Sequence, residues 1–232
     1  MVHDGIDTQA VAPNPAVSLT LNGSLVLTKA DEVITFVNRN LERYRGYHTF
    51  MRALPELLKR RPLARVLIVG GDGMRYGARP EAGPSWKELF VNEVRPHMPD
   101  ADWARVHFLG NIAFEHFVAL LQLSAVHVCL TYPFVLSWSL LKAMSAGCAI
   151  VASNTQPLRE AIQHNETGLL VDFFDALALA NEVCALLDNP AARQRLSQDT
   201  RQFAQVHYDL KTICLPKQLA WVKALGVNWS RG

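Results

Sequence analysis

The sequence predicts an α/β fold: a doubly wound, Rossmann-like parallel sheet with additional helices at the C-terminal end. Short apolar, β-branched runs alternate with amphipathic helical patterns, which is the order that specifies a parallel sheet covered on both faces. Half of the 232 residues are hydrophobic, which is enough for a substantial core. Several apolar runs end in glycines or polar loops, as strands of an open sheet do at their carboxyl ends.

Individual elements can be assigned from residue 33 onward. Buried-strand patterns cover Val33–Val37, Ala64–Val69, Val106–Leu109, Ala125–Leu130, Ala149–Ala152 and Leu169–Val171. Helical patterns cover Gly46–Lys59, Ser85–His97, Ala113–Leu123, a helix that opens at Ser137 or Ser139, Pro157–His164, Ala176–Leu187, Ala191–Val206 and about Leu210–Leu225. The Gly- and Pro-rich stretch 75–84 is predicted to be the longest loop.

These patterns divide the chain into three segments. Residues 1–30, which are punctuated by Pro and Asn, are interpreted as a lead-in or interdomain segment. Residues 31–190 carry the alternating strands and helices of the Rossmann-like domain, and residues 191–232 are predicted to be helical.

Composition excludes several classes of protein. The formal net charge of +2 argues against a dedicated nucleic-acid-binding protein, which would carry a strongly basic face. No apolar run is long enough to span a bilayer, although peripheral contact with a membrane stays open. The first fifteen residues lack the basic and apolar regions of a secretory signal, so we expect a cytoplasmic location.

Cysteine and histidine usage predicts no metal site and no disulfide framework. Cys129, Cys148, Cys184 and Cys214 are scattered without a CxxC pair, which indicates buried free thiols in a reducing compartment. The eight histidines form neither an i,i+4 pair nor an HExxH motif.

Candidate ligand-binding residues follow the predicted strands. Because ligands of open α/β sheets bind outside the carboxyl ends of the strands, these residues are expected to gather at one edge. They are Arg39 and Arg45, Gly71 and Gly73, Gly110, and the loop Phe134, Val135, Leu136 and Ser137. Arginines suit a diphosphate through their bidentate fork, and glycines allow a close backbone approach. Each group also has a plainer interpretation: solvated arginines, ordinary tight turns and a helix cap.

The stretch from Thr131 to Ser153 is the most informative part of the chain. It is predicted to form a loop, an amphipathic helix, a C-terminal cap at Gly147 and a buried strand. Ser137 and Ser139 are both good N-caps for this helix, and we favour the cap role for Ser137. A helix N-terminus at a strand exit is a favourable site for phosphate.

These motifs resemble those of the group 1 glycosyltransferases, a retaining family with a two-domain GT-B fold. Arg39 with Arg45-Gly46 resembles the family's Gly-Arg…Lys-Gly element, and the downstream blocks are similar in order and spacing. These blocks are Ile68–Gly73, Phe108–Gly110, Leu141–Gly147 and Asn165–Val171. The family's donor-site signature has a Glu, seven residues and a second Glu. Lys142 stands at the second position here, and Phe134, or Tyr132 in another alignment, stands at the first.

The resemblance implies a function and its partners. It covers roughly residues 33–190 and implies the C-terminal, nucleotide-sugar-binding half of such an enzyme, with the N-terminal acceptor domain absent from this chain. The C-terminal helices would pack on the domain or cross to that absent domain. The implied reaction transfers a hexose from a nucleoside diphosphate sugar to a glycan or lipid-linked acceptor with retention, in bacterial surface-polysaccharide synthesis. The family generally needs no metal ion or other cofactor, and no catalytic residue can be assigned.

Lys142 has three interpretations. A Glu at this position of the family accepts hydrogen bonds from ribose hydroxyls, and a lysine, which only donates, cannot reproduce that contact. This interpretation predicts weakened donor binding, which Lys142→Glu would tighten. Lys142 can instead donate to a hydroxyl oxygen or attract a phosphate. The third interpretation is a solvated helical lysine without a role.

Two other functions stay open beside a complete transferase. The chain can be a degenerate, non-catalytic fragment that binds nucleotide sugars, or the donor subunit of a two-chain glycosyltransferase. A Rossmann dehydrogenase is disfavoured, because no GxGxxG follows the first strand.

Overall fold

The computed structural model describes residues 2–73, 80 and 85–226. The strands are β1 Ser18–Leu21, β2 Leu25–Thr28, β3 Val33–Asn40, β4 Arg65–Gly71, β5 Val106–Gly110, β6 Val126–Cys129, β7 Ile150–Ser153 and β8 Leu169–Val171. The helices are α1 Tyr47–Arg60, α2 Trp86–Val94, α3 Asp100–Trp103, α4 Phe114–Leu123, α5 Trp138–Ser145, α6 Gln156–Arg159, α7 Ala176–Asp188, α8 Pro190–Tyr208 and α9 Leu215–Ala224.

Six of the strands form one parallel sheet in the order β5-β4-β3-β6-β7-β8, which confirms the doubly wound fold. The sheet is buried on both faces, because successive side chains along its strands point alternately into two apolar clusters. Ile34 and Phe36 point toward α1 and α7, while Val33 and Val37 point toward α4 and α5. Continuous burial from Val33 to Val37 explains why β3 reads as an unbroken apolar run.

Residues 1–30, interpreted from the sequence as a lead-in, contain a β-hairpin that was not predicted. β1 and β2 pair in antiparallel fashion around Asn22-Gly23, both of which have positive φ, as a type I′ turn requires. Leu21 and Leu27 are buried in the core beside α4, so this segment packs on the domain. The division of the chain at residues 30 and 190 stays a prediction.

Two predicted helices differ in the structure, and one short helix was not predicted. The predicted helix 85–97 ends as α2 at Val94, because Pro96 follows and the chain continues as a 3₁₀ turn. The short α3 was not predicted, and the helix expected over 157–164 is only the four-residue α6. Of the predicted loop 75–84, all but Pro80 lies outside the described residues, as do 227–232 of the C-terminal segment.

The C-terminal helices behave differently from one another. α8 packs against α5 and buries Leu196, Ala204 and Tyr208. A π-helical turn at Leu210–Cys214 separates α8 from α9, and none of the residues of α9 is buried. α8 therefore packs on the domain, whereas α9 has no buried residue. Whether the C-terminal helices cross to another domain stays a prediction.

Gly46 joins β3 to α1 at a point where no other residue fits. Its φ is +70°, and a Cβ atom there would lie 2.2 Å from Cβ of Leu130. Gly23 in the hairpin has a similar φ of +73° but open space around it.

The Gly46→Ala variant should therefore lose much more stability than Gly23→Ala. We expect a decrease of about 2 kcal/mol or more in the free energy of unfolding for Gly46→Ala, from backbone strain together with the clash. For Gly23→Ala we expect a decrease of only about 1 kcal/mol in the free energy of unfolding, because the left-handed backbone conformation is strained but the added Cβ meets no other atom. Urea denaturation of both variants measures the difference, and equal losses would show that the contact with Leu130 is unimportant.

His127 is a wholly buried polar side chain of the central sheet. Its Nδ1 atom lies 2.8 Å from the Thr35 hydroxyl, which also hydrogen-bonds to Ser124 at 2.7 Å. Burial lowers the pKa of His127 to about 4, and burial, the largest effect, together with nearby arginines, lowers the pKa of His48 to about 4.

The two histidines make folding sensitive to mild acid. Their pKa values in the folded state lie below the ordinary value of about 6.5, so the unfolded chain takes up protons first as the pH falls. The free energy of unfolding should thus decrease as the pH drops from about 6.5 toward 4. NMR titration should show the His127 ring neutral down to about pH 5, whereas protonation near pH 6.5 would contradict the prediction. Substituting the exposed His116 by Gln should leave this pH dependence unchanged.

Candidate functional site

The site lies where the order of strands reverses. From β3 the chain proceeds outward through β4 to β5 and then returns to β6 on the other side of β3. The loops that leave β3 and β6 therefore diverge to opposite faces of the sheet. In open α/β sheets, the crevice between two such loops is the place where ligands bind.

A cleft of about 390 Å³ occupies this crevice. It is lined by residues from the end of β3, the loop that follows it, and the N-cap and first turns of α5, namely Asn38, Arg39, Asn40, Glu42, Arg45, Ser137, Trp138, Ser139 and Lys142. Four predicted ligand-binding residues, Arg39, Arg45, Ser137 and Lys142, are thus brought together. Their roles in binding stay predictions.

The two loops that border the cleft are fixed to each other. The backbone N–H of Tyr132 donates to the carbonyl of Tyr44 at 2.8 Å, and the two rings pack edge to face. The N–H of Thr131 donates to Oγ of Ser153 at 3.0 Å, which ties the loop after β6 to β7. The close approach at Gly46 completes this arrangement, so the walls of the cleft are held by the backbone.

Arg45 is positioned by contacts with the opposite loop. Its Nη1 atom donates to Oγ1 of Thr131 at 3.3 Å, and its guanidinium lies 5.6 Å from the centroid of the Phe134 ring. Arg39, at the end of β3, is exposed and also lines the cleft. The two predicted cations therefore line the same cleft, as a clamp on a diphosphate requires.

Glu42 is a buried carboxylate that the sequence analysis missed. It is 2% exposed, and Asn40 Nδ2 donates to its Oε1 atom at 3.3 Å. In the sequence, the feature that could have pointed to Glu42 is its position between Arg39 and Arg45, in a loop that follows a strand. Among the described lining residues, three cations face this one carboxylate, which leaves the cleft formally positive.

The N-terminus of α5 forms one wall of the cleft. Ser137 is the N-cap, as predicted, and its Oγ accepts from the N–H of Ser139 at 3.3 Å. Gly147, with φ +73°, follows the C-terminal end of the helix, which confirms the predicted cap. Free N–H groups of the first turn and the helix dipole both favour an anion at this wall.

Lys142 lies on the cleft side of α5 against three aromatic rings. Its Nζ atom lies 5.8 Å from the ring centroid of Phe114, 5.7 Å from that of Phe117 and 5.8 Å from that of Trp138. Removal of this ammonium from water lowers the pKa of Lys142. Lys142 is thus half-buried, and whether it has a role in binding stays a prediction.

The remaining predicted residues lie outside the lining of the cleft. Gly71 approaches the side chains of Asn40 and Asn111, whereas Gly110 has φ +64° with open space around it. Leu136 packs on the core. Roles in donor binding for these residues, and for Gly73, Phe134 and Val135, stay predictions.

The described part of the chain shows neither a metal-binding cluster nor a membrane-spanning helix. No group of three or more His, Cys, Asp or Glu residues is arranged to hold a metal ion there. None of the helices within residues 2–73, 80 and 85–226 is long and apolar enough to cross a membrane.

A doubly wound sheet with a cationic cleft at its switch point defines a nucleotide-binding type of domain. The family model for glycosyl transferases group 1 matches residues 21–203, and this chain belongs to that family. Its strands and helices are those of one half of a GT-B glycosyltransferase.

Individual relatives agree with this assignment. The D-inositol 3-phosphate glycosyltransferase of Corynebacterium efficiens is 30% identical over 176 residues, which are 75% of this chain and 39% of the relative. The sucrose-phosphate synthase of Thermosynechococcus elongatus has a similar fold, with a TM-score of 0.78, 24% identity and coverage of 98% of this chain and 53% of that one. An Anabaena protein in complex with UDP has a TM-score of 0.73 and 18% identity, and the match covers 97% of this chain and 57% of that one. The chain spans about two-fifths of the length of the curated relatives that it matches.

Proposed function

We propose that this chain is the donor-binding half of a glycosyltransferase and holds a nucleoside diphosphate sugar in the cleft between β3 and β6. The observation that carries the proposal is the convergence of Arg39, Arg45, Lys142 and the N-terminus of α5 on one cleft at the switch point of the sheet. The solved relative with bound UDP supports it, as does the family.

The reaction we propose is transfer of a hexose, with retention, to a glycan or lipid-linked acceptor in the cytoplasm. When the bond between sugar and diphosphate breaks, negative charge develops on the phosphate oxygens. Fixed guanidinium groups and helix N–H groups stabilise that charge in the transition state, and the walls of the cleft hold the sugar in position. The nucleotide sugar is the substrate, and we propose neither a metal nor another cofactor. The four cysteines, all buried and unpaired, support a reducing compartment.

The acceptor site, we propose, is supplied by a separate domain or subunit. Relatives are more than twice as long as the matched region, and α9 leaves Leu215, Leu219, Trp221 and Leu225 exposed. Apolar residues grouped in this way are typical of a surface that meets another domain. This observation favours the interpretations in which another domain or subunit completes the transferase.

Calorimetric titration with UDP, GDP, ADP and their hexose conjugates tests the donor site. One nucleotide series should bind saturably, and Arg39→Ala should weaken its binding roughly ten- to hundredfold, because a charge-assisted contact with phosphate is lost. Arg43→Ala is the matched control: Arg43 belongs to the same loop but contacts Trp86 outside the cleft lining, so its loss should leave the affinity unchanged.

Three outcomes separate the alternatives. Saturable binding that depends on Arg39 supports the donor-site proposal. Absence of binding at millimolar nucleotide overturns it in favour of a degenerate fragment. Binding together with slow release of nucleoside diphosphate from the sugar conjugate by the chain alone would show that this half also activates the donor.

A further inference from the structure

Lys142 points back toward the N-terminal end of α5. It is the fifth residue after the cap Ser137, and the Cα–Cβ bonds of a helix tilt toward its N-terminus. A side chain at this position covers the preceding turn, which is why its ammonium lies 5.8 Å from the ring of Trp138, four residues earlier. The ammonium therefore adds its charge to the end of the helix that already favours an anion.

Three rings hold the ammonium at this place. Phe114 and Phe117 project from the same face of α4, three residues apart, and Trp138 closes the third side. The indole N–H of Trp138 donates to the carboxylate of Asp4 at 3.0 Å, so this wall is anchored from the N-terminal segment. Aromatic faces attract a cation by their quadrupole but do not cancel its charge. We call Phe114, Phe117 and Trp138 the aromatic cage.

The positive charge of the Lys142 ammonium is available to interact with a ligand. Within the described part of the chain Lys142 forms no ion pair, and the charged residues that line the cleft with it are the cations Arg39 and Arg45 and the carboxylate of Glu42. A partly desolvated ammonium that is surrounded by rings and faces other cations gains most from an anionic partner, and gains little from neutral hydroxyls.

We propose that Lys142 is a specificity-determining residue that contacts the phosphates of the ligand and is held toward them by the aromatic cage. The cleft would then distinguish ligands by the negative charge of the diphosphate, and Lys142 would take no part in recognising ribose. This inference rests on the proposed function for the identity of the ligand, but its chemistry requires only an inorganic or nucleoside diphosphate.

Calorimetry with inorganic pyrophosphate, UDP and uridine tests the role of Lys142. Lys142→Met should weaken the binding of pyrophosphate and of UDP roughly tenfold and leave uridine unchanged, because one charge-assisted contact is lost. Lys142→Arg should retain most of the affinity, and Lys142→Glu should bind less tightly than Lys142→Met. The control is Lys59→Met at the far end of α1, an exposed lysine at the opposite edge of the sheet.

The role of the cage is tested by Phe114→Leu, a change at a ring that is 52% exposed and can be replaced without unfolding the core. It should weaken pyrophosphate binding about two- to fivefold in the presence of Lys142, as expected for one exposed cation–π contact. In a Lys142→Met background, Phe114→Leu should not change the affinity for pyrophosphate. Trp221→Leu on α9 is the control for loss of an exposed aromatic side chain.

The outcomes distinguish this inference from the proposed function. Wild-type affinity for UDP in Lys142→Met, or tighter binding in Lys142→Glu, overturns the inference and leaves the donor site intact. Binding of pyrophosphate that depends on Lys142, without binding of any nucleotide, supports the inference and overturns the nucleotide-sugar proposal. If neither pyrophosphate nor any nucleotide binds, both this inference and the proposed function are overturned.

Discussion

The close approach of Gly46 to Leu130 is the constraint on which the cleft depends. Here the chain leaving β3 turns into α1 directly against the end of β6, and only a residue without Cβ fits the 2.2 Å space. The contact brings together the loop that carries Arg39 and Arg45 and the loop that leads to α5. A bulkier residue would separate the two walls, so the absence of a side chain at Gly46 determines whether the cations can act on one ligand.

The fold could be predicted from the sequence because its dominant signal is local. Each strand of the main sheet is a run buried on both faces, and each long helix repeats apolar residues at helical spacing. The hairpin β1–β2 was missed although Asn22-Gly23 is the strongest short signal for such a turn, because its strands are only four residues long and carry a weak alternation. The end of α2 and the short α6 depend on proline and tertiary packing, which periodicity does not report.

The site could be predicted only in part, for a physical reason. Sequence order places residues after strands, and therefore at one edge of the sheet, but it does not give the spatial order of the strands. Because β4 and β5 lie to one side of β3, Gly71 and Gly110 end strands that do not border the crevice. Arg39, at the end of β3, and Lys142, in the helix after β6, belong to the two strand ends that do border it. Glu42 and the aromatic cage escaped prediction because their roles depend on contacts between separate elements.

The way in which cations are held differs between the cleft and the opposite edge of the sheet. Away from the cleft, Arg61 pairs with Glu32 and Asp188, and Arg105 pairs with Asp102, so these charges are neutralised within the protein. In the cleft, the ammonium of Lys142 instead lies among three rings. Rings fix a cation in position and leave its net charge in place, whereas a carboxylate would fix it and cancel the field. A cleft built in this way keeps a positive potential until an anionic ligand arrives, and its walls need little rearrangement to bind that ligand.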